Sequence, residues 1–180
     1  SLDPRQRLLL MSAYHTLEDA GHAPSTLRGS RTGVFIAEEI NEYLQILAQH
    51  KAELDKTYMQ ANSMIANRIS YYFDFRGPSE VVNTMCSGAA VALHRAVQAL
   101  RSGDIEQALV GAANLILTPD FSLFLSSVDQ LSADNSVHSF GADADGFVRA
   151  EGVASLLLKP LSQAEADGDA IYATIKHSAV

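Results

Sequence analysis

The sequence predicts an α/β protein in which a sheet is layered between helices. Three observations predict it. Strand-like apolar runs alternate with helical stretches along the 180 residues. Residues 107–117 (Gln-Ala-Leu-Val-Gly-Ala-Ala-Asn-Leu-Ile-Leu) are apolar with little alternation, as in a strand covered on both faces. Helix-start and helix-stop residues also stand where the periodicity changes.

The elements follow in order. Residues 3–20 predict a helix: Asp3 is a cap, Pro4 suits the first turn, and Gly21 ends it. Leu8, Met11, Tyr14 and Leu17 recur at helical spacing within it. Thr32–Ala37 predicts a short buried strand, and residues 38–56 a charged, loosely helical surface excursion. The Glu38, Glu39 and Glu42 cluster there reads as a solvated face. A helix over 61–73 ends before Arg76-Gly77-Pro78, with Tyr71, Tyr72 and Phe73 packing at its end. Ser79–Thr84 predicts a strand and Ala89–Leu100 a helix. Ala89, Leu93, Ala96, Val97 and Leu100 form its buried face, His94, Gln98 and Arg101 its outer one, and Gly103 its stop. Residues 118–146 read as a Ser- and Asp-rich loop. Val153–Lys159 and Ile171–Ser178 predict two further strands, joined by a short helix ending near Gly168. There are no repeats and no low-complexity tracts.

Bulk properties narrow the function classes. A chain 47% hydrophobic buries a core of one ordinary domain. A net charge of −8 disfavours nucleic acid, which demands clustered Lys and Arg. Charges interrupt every hydrophobic stretch, so none reaches the roughly 18–20 residues that span a bilayer. Ser1–Arg7 lacks the charged start and apolar stretch of a secretory signal, and a cytoplasmic protein is expected. One cysteine excludes an intramolecular disulfide, and no Cys/His cluster has zinc spacing, so no metal is expected.

That cysteine, Cys86, is either an inert core residue or a nucleophile. In Val81-Val82-Asn83-Thr84-Met85-Cys86-Ser87-Gly88-Ala89-Ala90 a strand runs directly into a helix with the cysteine at the turn. A turn of this kind exposes a side chain at the strand end, the logic of a nucleophile elbow. Unpartnered amides and the positive end of a helix dipole favour negative charge on the sulfur. The same amides suit an oxyanion formed when a thioester carbonyl is attacked. Gly88, Ala89 and Ala90 let the helix approach the sheet. On these grounds alone both readings stay open.

Four blocks in order carry a resemblance. Asp3-Pro4-Arg5-Gln6-Arg7-Leu8-Leu9-Leu10 with Leu17-Glu18-Asp19-Ala20-Gly21 resembles a signature of modular ketosynthases, the β-ketoacyl synthase domains of polyketide synthases. Asn83-Thr84-Met85-Cys86-Ser87 resembles their Asp-Thr-Ala-Cys-Ser active-site motif. Ala144-Asp145-Gly146-Phe147-Val148-Arg149-Ala150-Glu151-Gly152 is similar to a further stretch of the family. So is Leu158–Ser162 with Ala166–Asp169 and Ile171–Ala173. Departures exist: Asn83 stands where Asp is usual, Met85 where Ala is common, Gly88 where Ser is typical, and Gly141 where Asp is general. Met85 is similar to ketosynthases of assembly lines whose acyltransferase acts in trans.

The resemblance implies a thiolase-like αβαβα layered fold. Residues 1–180 would be the N-terminal part of a ketosynthase domain, with the family's first strand absent and the chain ending one strand into the second half. It implies an acyltransferase that performs decarboxylative Claisen condensation in polyketide or fatty-acid chain extension. Cys86 would take the acyl chain as a thioester, its backbone N–H giving one oxyanion donor. Met85, Leu125 and Phe147 would lie along the acyl substrate. The domain itself would bind no cofactor, its substrates riding on the 4′-phosphopantetheine of acyl carrier protein. Expected partners are that carrier protein, the other domains of a multidomain synthase, and a second copy paired through strand 79–84. No nucleic acid or membrane is expected.

The family's two catalytic histidines, in a His-Gly-Thr motif and after an Asn-x-Gly, have no counterpart in this sequence. His15, His22, His50, His94, His138 and His177 read as ordinary surface or core residues. Asp143, Asp145 and Glu151 read as parts of a structured loop rather than a cation site. Two other classes compete: a Cys hydrolase or thiolase, and a non-extending ketosynthase that only holds or transfers acyl chains. A hydrolase prefers Gly where Thr84 stands, and a thiolase does not carry the Asp3–Leu10 block.

Overall fold

The computed structural model describes residues 2–49 and 61–180. In chain order the elements are α1 (Pro4–Asp19), β1 (Thr32–Ala37), α2 (Glu42–Gln49), α3 (Met64–Phe73), β2 (Ser79–Val82) and α4 (Gly88–Ser102). Then come β3 (Gln107–Asn114), α5 (Asp120–Ser127), β4 (Gly152–Leu158) and α6 (Leu161–Asp167). The rest of the charged excursion, residues 50–60 with His50, lies outside the described residues.

One four-stranded sheet runs in the order β2-β1-β3-β4. β1, β2 and β3 are parallel, and β4 is antiparallel to β3. Alternation along β1 decides what covers each face. Val34 and Ile36 pack with Leu9, Ala13 and Leu17 of α1 and Ile65, Ile69 and Phe73 of α3. Phe35 and Ala37 point the other way, into Ala92 and Ala96 of α4 with Ala108 and Val110 of β3. Helices on both faces account for the unbroken burial of β1 and the start of β3. These layers match the predicted α/β class.

Helix ends follow the sequence signals. Asp3 caps α1, its carboxylate accepting from the Arg5 amide at 2.8 Å with Pro4 in the first turn. Gly103 and Gly168 close α4 and α6 in left-handed geometry.

Several expectations are corrected. The buried stripe of α4 is Gly88, Ala92, Ala96 and Val97; Ala89 is exposed, and Leu93 and Leu100 are half-buried. The small residues Ala92 and Ala96 sit closest to the sheet, and Leu93 and Leu100 pack at the margin of the same core. Within the predicted 118–146 loop a real helix forms, α5, burying Leu125. At the end of α3, Phe73 is buried and stacks on Phe75 at 5.4 Å, but Tyr71 and Tyr72 face outward. Ile171–Ser178 forms no strand. It is mostly exposed and held at its edges, where Tyr172 donates to Asp19, Arg101 donates to the Lys176 carbonyl, and His94 and Ser178 share a hydrogen bond. Its β-branched composition has no neighbouring strand to pair with among the described residues.

Finally, β4 packs along one face with the α1 side of the core, and on the other only Leu158, at its end, reaches the core. Ser155 meets Ser12 and Thr16 of α1 at 2.6 Å each, while Leu156 on the opposite face is 53% exposed. No helix of the described residues is long and apolar enough to cross a membrane.

Candidate active site

The three parallel strands end along one edge of the sheet, where the chain must turn back over a helix; in open α/β sheets this edge is where ligands bind. β2 ends at Val82 and α4 begins at Gly88, leaving five residues for the reversal. The turn is tight. Thr84 and Cys86 bridge each other, and the Gly88 amide donates to the Met85 carbonyl at 2.9 Å. Met85 pays for this with φ of +55°, a left-handed conformation that costs a side-chain-bearing residue about 1–2 kcal/mol.

Side chains hold the turn from both flanks. Ser87 Oγ donates to the Thr84 carbonyl at 2.8 Å and lies 2.9 Å from Thr84 Oγ1. Asn83 Oδ1 accepts from the Met85 amide at 3.3 Å, and Asn83 Nδ2 donates to the Glu39 carbonyl at 2.8 Å. Cys86 stands at the apex with a free, exposed thiol. It sits two residues ahead of the helix, since Ser87 occupies the cap position. A methyl group on Gly88 would reach 3.4 Å from Ala37 Cβ, so α4 starts in close contact with β1.

Beside the turn the acidic cluster departs from its expected solvated face. Glu38 and Glu42 are buried, 4% and 3% exposed. Both are compensated by partners distant in sequence, as a buried charge must be. Arg5 grips Asp3 at 2.7 Å, approaches Glu38 at 3.4 Å and donates to the Ile40 carbonyl at 2.9 Å. Glu42 accepts from the Leu117 and Thr118 amides at 2.7 and 2.8 Å, with Arg149 at 3.5 Å. One Glu38 oxygen has no partner, and burial pushes its carboxyl above the ordinary 4.5, with Arg5 opposing and Asp3 adding to the rise. The sequence reads Glu38 and Glu42 as solvated and offers Arg5 and Arg149 only inside longer blocks, so the buried ion pairs they form are not foreseen. The Asp-Pro-Arg block pointed at Arg5, but nothing local marks the glutamates.

The stretch 144–152 is a structured tie, as its carboxylates show. Asp145 accepts from the Ala133 amide, Glu151 from the Ile116 amide, and Asp143 pairs with His138 at 3.3 Å. Phe147 brackets Leu131, donating its amide to Gln130 and accepting from Ser132 at 3.0 Å each. Gly146 makes that crossing possible: at φ of +154° a Cβ would fall 2.6 Å from the Leu131 backbone. Arg149 donates to Ser122 at 2.6 Å and lies 5.0 Å over the Phe121 ring, fastening α5.

The predicted substrate residues thus fall into two groups. Met85 is 54% exposed in the turn itself. Leu125 is buried in α5 and Phe147 is partly exposed, the two joined through Gln130, whose amide donates to the Leu125 carbonyl.

The histidines have ordinary partners. His15 pairs with Glu18, His22 lies 3.7 Å from Asp169, and His138 stands between Asp134 and Asp143. Hydrogen bonds from Ser132 and His138 hold the Asp134 carboxyl below its ordinary value. Among the described residues no group of three His, Cys, Asp or Glu is placed to hold a metal ion.

Residues 1–164 match the family model "Beta-ketoacyl synthase, N-terminal domain". The chain belongs to the β-ketoacyl synthase family. It is 48% identical over 179 residues to the polyketide synthase ThaG of Burkholderia thailandensis, covering 99% of this chain and 3% of that protein. With the polyketide synthase PksM of Bacillus subtilis it shares 41% over 187 residues, 99% of this chain and 4% of that one. The ketosynthase from module 6 of the Bacillus subtilis bacillaene synthase superposes with a TM-score of 0.87 at 36% identity, over 95% of this chain and 29% of that one. A Streptomyces albus oxazolomycin ketosynthase domain does so at 0.84 and 40%, over 94% and 30%. The fold is therefore thiolase-like, as expected. The chain spans less than a third of these ketosynthase structures and under a tenth of these synthases.

Proposed function

We propose that Cys86 is the acyl-accepting nucleophile of a ketosynthase that extends polyketide chains by decarboxylative Claisen condensation. The carrying observation is the exposed thiol on a strained strand-to-helix turn at the carboxyl edge of the parallel strands. The sulfur, as thiolate, attacks the thioester carbonyl of an acyl chain on a carrier protein's phosphopantetheine. The carbonyl electrons move onto oxygen, and the Cys86 backbone N–H is one donor to that oxyanion. The oxyanion collapses, the pantetheine sulfur leaves and takes up a proton, and the chain rests on Cys86. A malonyl-carrier protein then loses carbon dioxide, and its carbanion attacks the Cys86 thioester. The enlarged β-ketoacyl chain departs on the carrier while Cys86 is regenerated.

Decarboxylation requires the family's two histidines, whose motifs this sequence lacks, so this segment supplies the nucleophile and not the acid–base groups. Met85 is the wall nearest the acyl chain in this reading, supported by its exposed position before Cys86. Leu125 and Phe147 contribute through the α5 block. A cytoplasmic homodimer pairing through β2 is the assembly, supported by the strand's place at the sheet edge. The test is condensation by the full-length protein with an acyl-N-acetylcysteamine thioester and malonyl-carrier protein. A β-ketoacyl product that disappears in Cys86→Ala is expected; undiminished product in that variant overturns the assignment.

A further inference from the structure

We infer that Asn83 is a positioning residue for Cys86, acting through both ends of its side-chain amide; the inference rests on the nucleophile reading above. The orientation of that amide is fixed by its partners. The Glu39 carbonyl can only accept and the Met85 amide can only donate, so Nδ2 must face the first and Oδ1 the second. The two bonds join a rigid body to a strained one.

The rigid body is the backbone leaving β1. The Glu38 amide donates to the Val82 carbonyl at 3.0 Å, and Arg5, itself buried and clamped by Asp3, donates to the Ile40 carbonyl. Residues 38–40 are thus gripped on both sides of Glu39. The strained body is Met85 at φ of +55°, directly before the reacting sulfur's residue. Asn83 lashes one to the other, so the position of the sulfur is referred back through Arg5 to the buried start of α1.

Only a side chain of this length with one donor and one acceptor makes both contacts. An aspartate, usual here in the family, sets a carboxylate oxygen against the Glu39 carbonyl oxygen when ionised and regains a donor only when protonated. Alanine makes neither contact. A displaced nucleophile lowers the rate of attack while leaving recognition of the acyl chain intact.

The experiment uses the full-length protein and a hexanoyl-N-acetylcysteamine thioester, following Cys86 acylation by intact mass between about pH 5.5 and 8.5. Asn83→Ala is expected to lower the maximal acylation rate roughly tenfold or more at every pH with KM unchanged. Asn83→Asp, ionised throughout this range, keeps the acceptor for the Met85 amide and loses the donor to the Glu39 carbonyl, so a loss of rate intermediate between the native protein and Asn83→Ala is expected at every pH. Circular dichroism of both variants accompanies the rates. A native rate in either variant, or a KM that rises in step with the loss of rate, overturns the inference. So does loss of the fold in the isosteric Asn83→Asp at all pH values, which would make Asn83 a fold residue. If the native protein is not acylated at Cys86, the nucleophile reading itself falls; native acylation with indifferent Asn83 variants removes only this inference.

Discussion

At the level of single residues, two backbone positions show how sequence and chemistry constrain each other. Met85 accepts left-handed geometry because Asn83 and Ser87 bond the turn on either side of it. Gly146 has no such freedom to be replaced, since any Cβ collides with backbone atoms that cannot swing aside. Gly146→Ala should therefore cost about 2–4 kcal/mol and detach residues 130–132 from Phe147. Hydrogen exchange in the full-length protein would show the Ser132 and Phe147 amides losing protection; unchanged protection would mean the loop has another way to close. The strand-to-helix turn that exposes Cys86 was legible in the sequence because its chemistry is local, contained in Asn83–Ser87. Glu38 and Glu42 were not, because what buries them lies far along the chain, at Arg5 and at Leu117, Thr118 and Arg149. A carboxylate run reads as solvated until those partners are known.

At the level of elements, the charge buried at the end of β1 carries a pH signature. Burial holds the Glu38 carboxyl above its ordinary 4.5, Arg5 offsetting only part of the rise. A raised acid favours its protonated form in the fold. Its contribution to stability is therefore full below about pH 4.5 and is lost as pH rises through the folded value. Glu38→Gln mimics the protonated acid. It should leave local stability at pH 4 unchanged and raise it at pH 8. Hydrogen exchange of the β1 amides reads this directly, and a less protected variant at pH 8 would mean that the Arg5 pairing outweighs burial. Most elements were legible because their periodicity and caps agree, as Asp3, Pro4 and Gly103 illustrate. α5 was missed because its serines and Asp120 mask a short helix whose apolar residues are held by Arg149 from outside. Ile171–Ser178 was taken for a strand on composition, which does not supply a neighbour to pair with.

At the level of the whole molecule, the edge position of β2 and the half-bare face of β4 bear on assembly and activity. The carbonyls of Pro78 and Val82 already serve β1, accepting from the Val34 and Glu38 amides. Strand alternation then turns the backbone groups of Val81 outward, free for a second copy. On the proposed pairing, Val81→Pro should weaken self-association of the full-length protein at least tenfold with the protomer folded, whereas Val82→Pro would damage the β1–β2 ladder itself. Analytical ultracentrifugation decides it: an active native monomer at micromolar concentration contradicts the pairing. Residues 1–180 alone should release no carbon dioxide from malonyl-carrier protein, and release above the blank would place the decarboxylating groups within this segment. The central claim is tested most directly by incubating the full-length protein with a hexanoyl thioester and mapping the adduct by peptide mass spectrometry. One acyl group on the peptide containing Cys86, absent in Cys86→Ala, is the predicted result; equal acylation in that variant, or an adduct elsewhere with Cys86 unmodified, would contradict it.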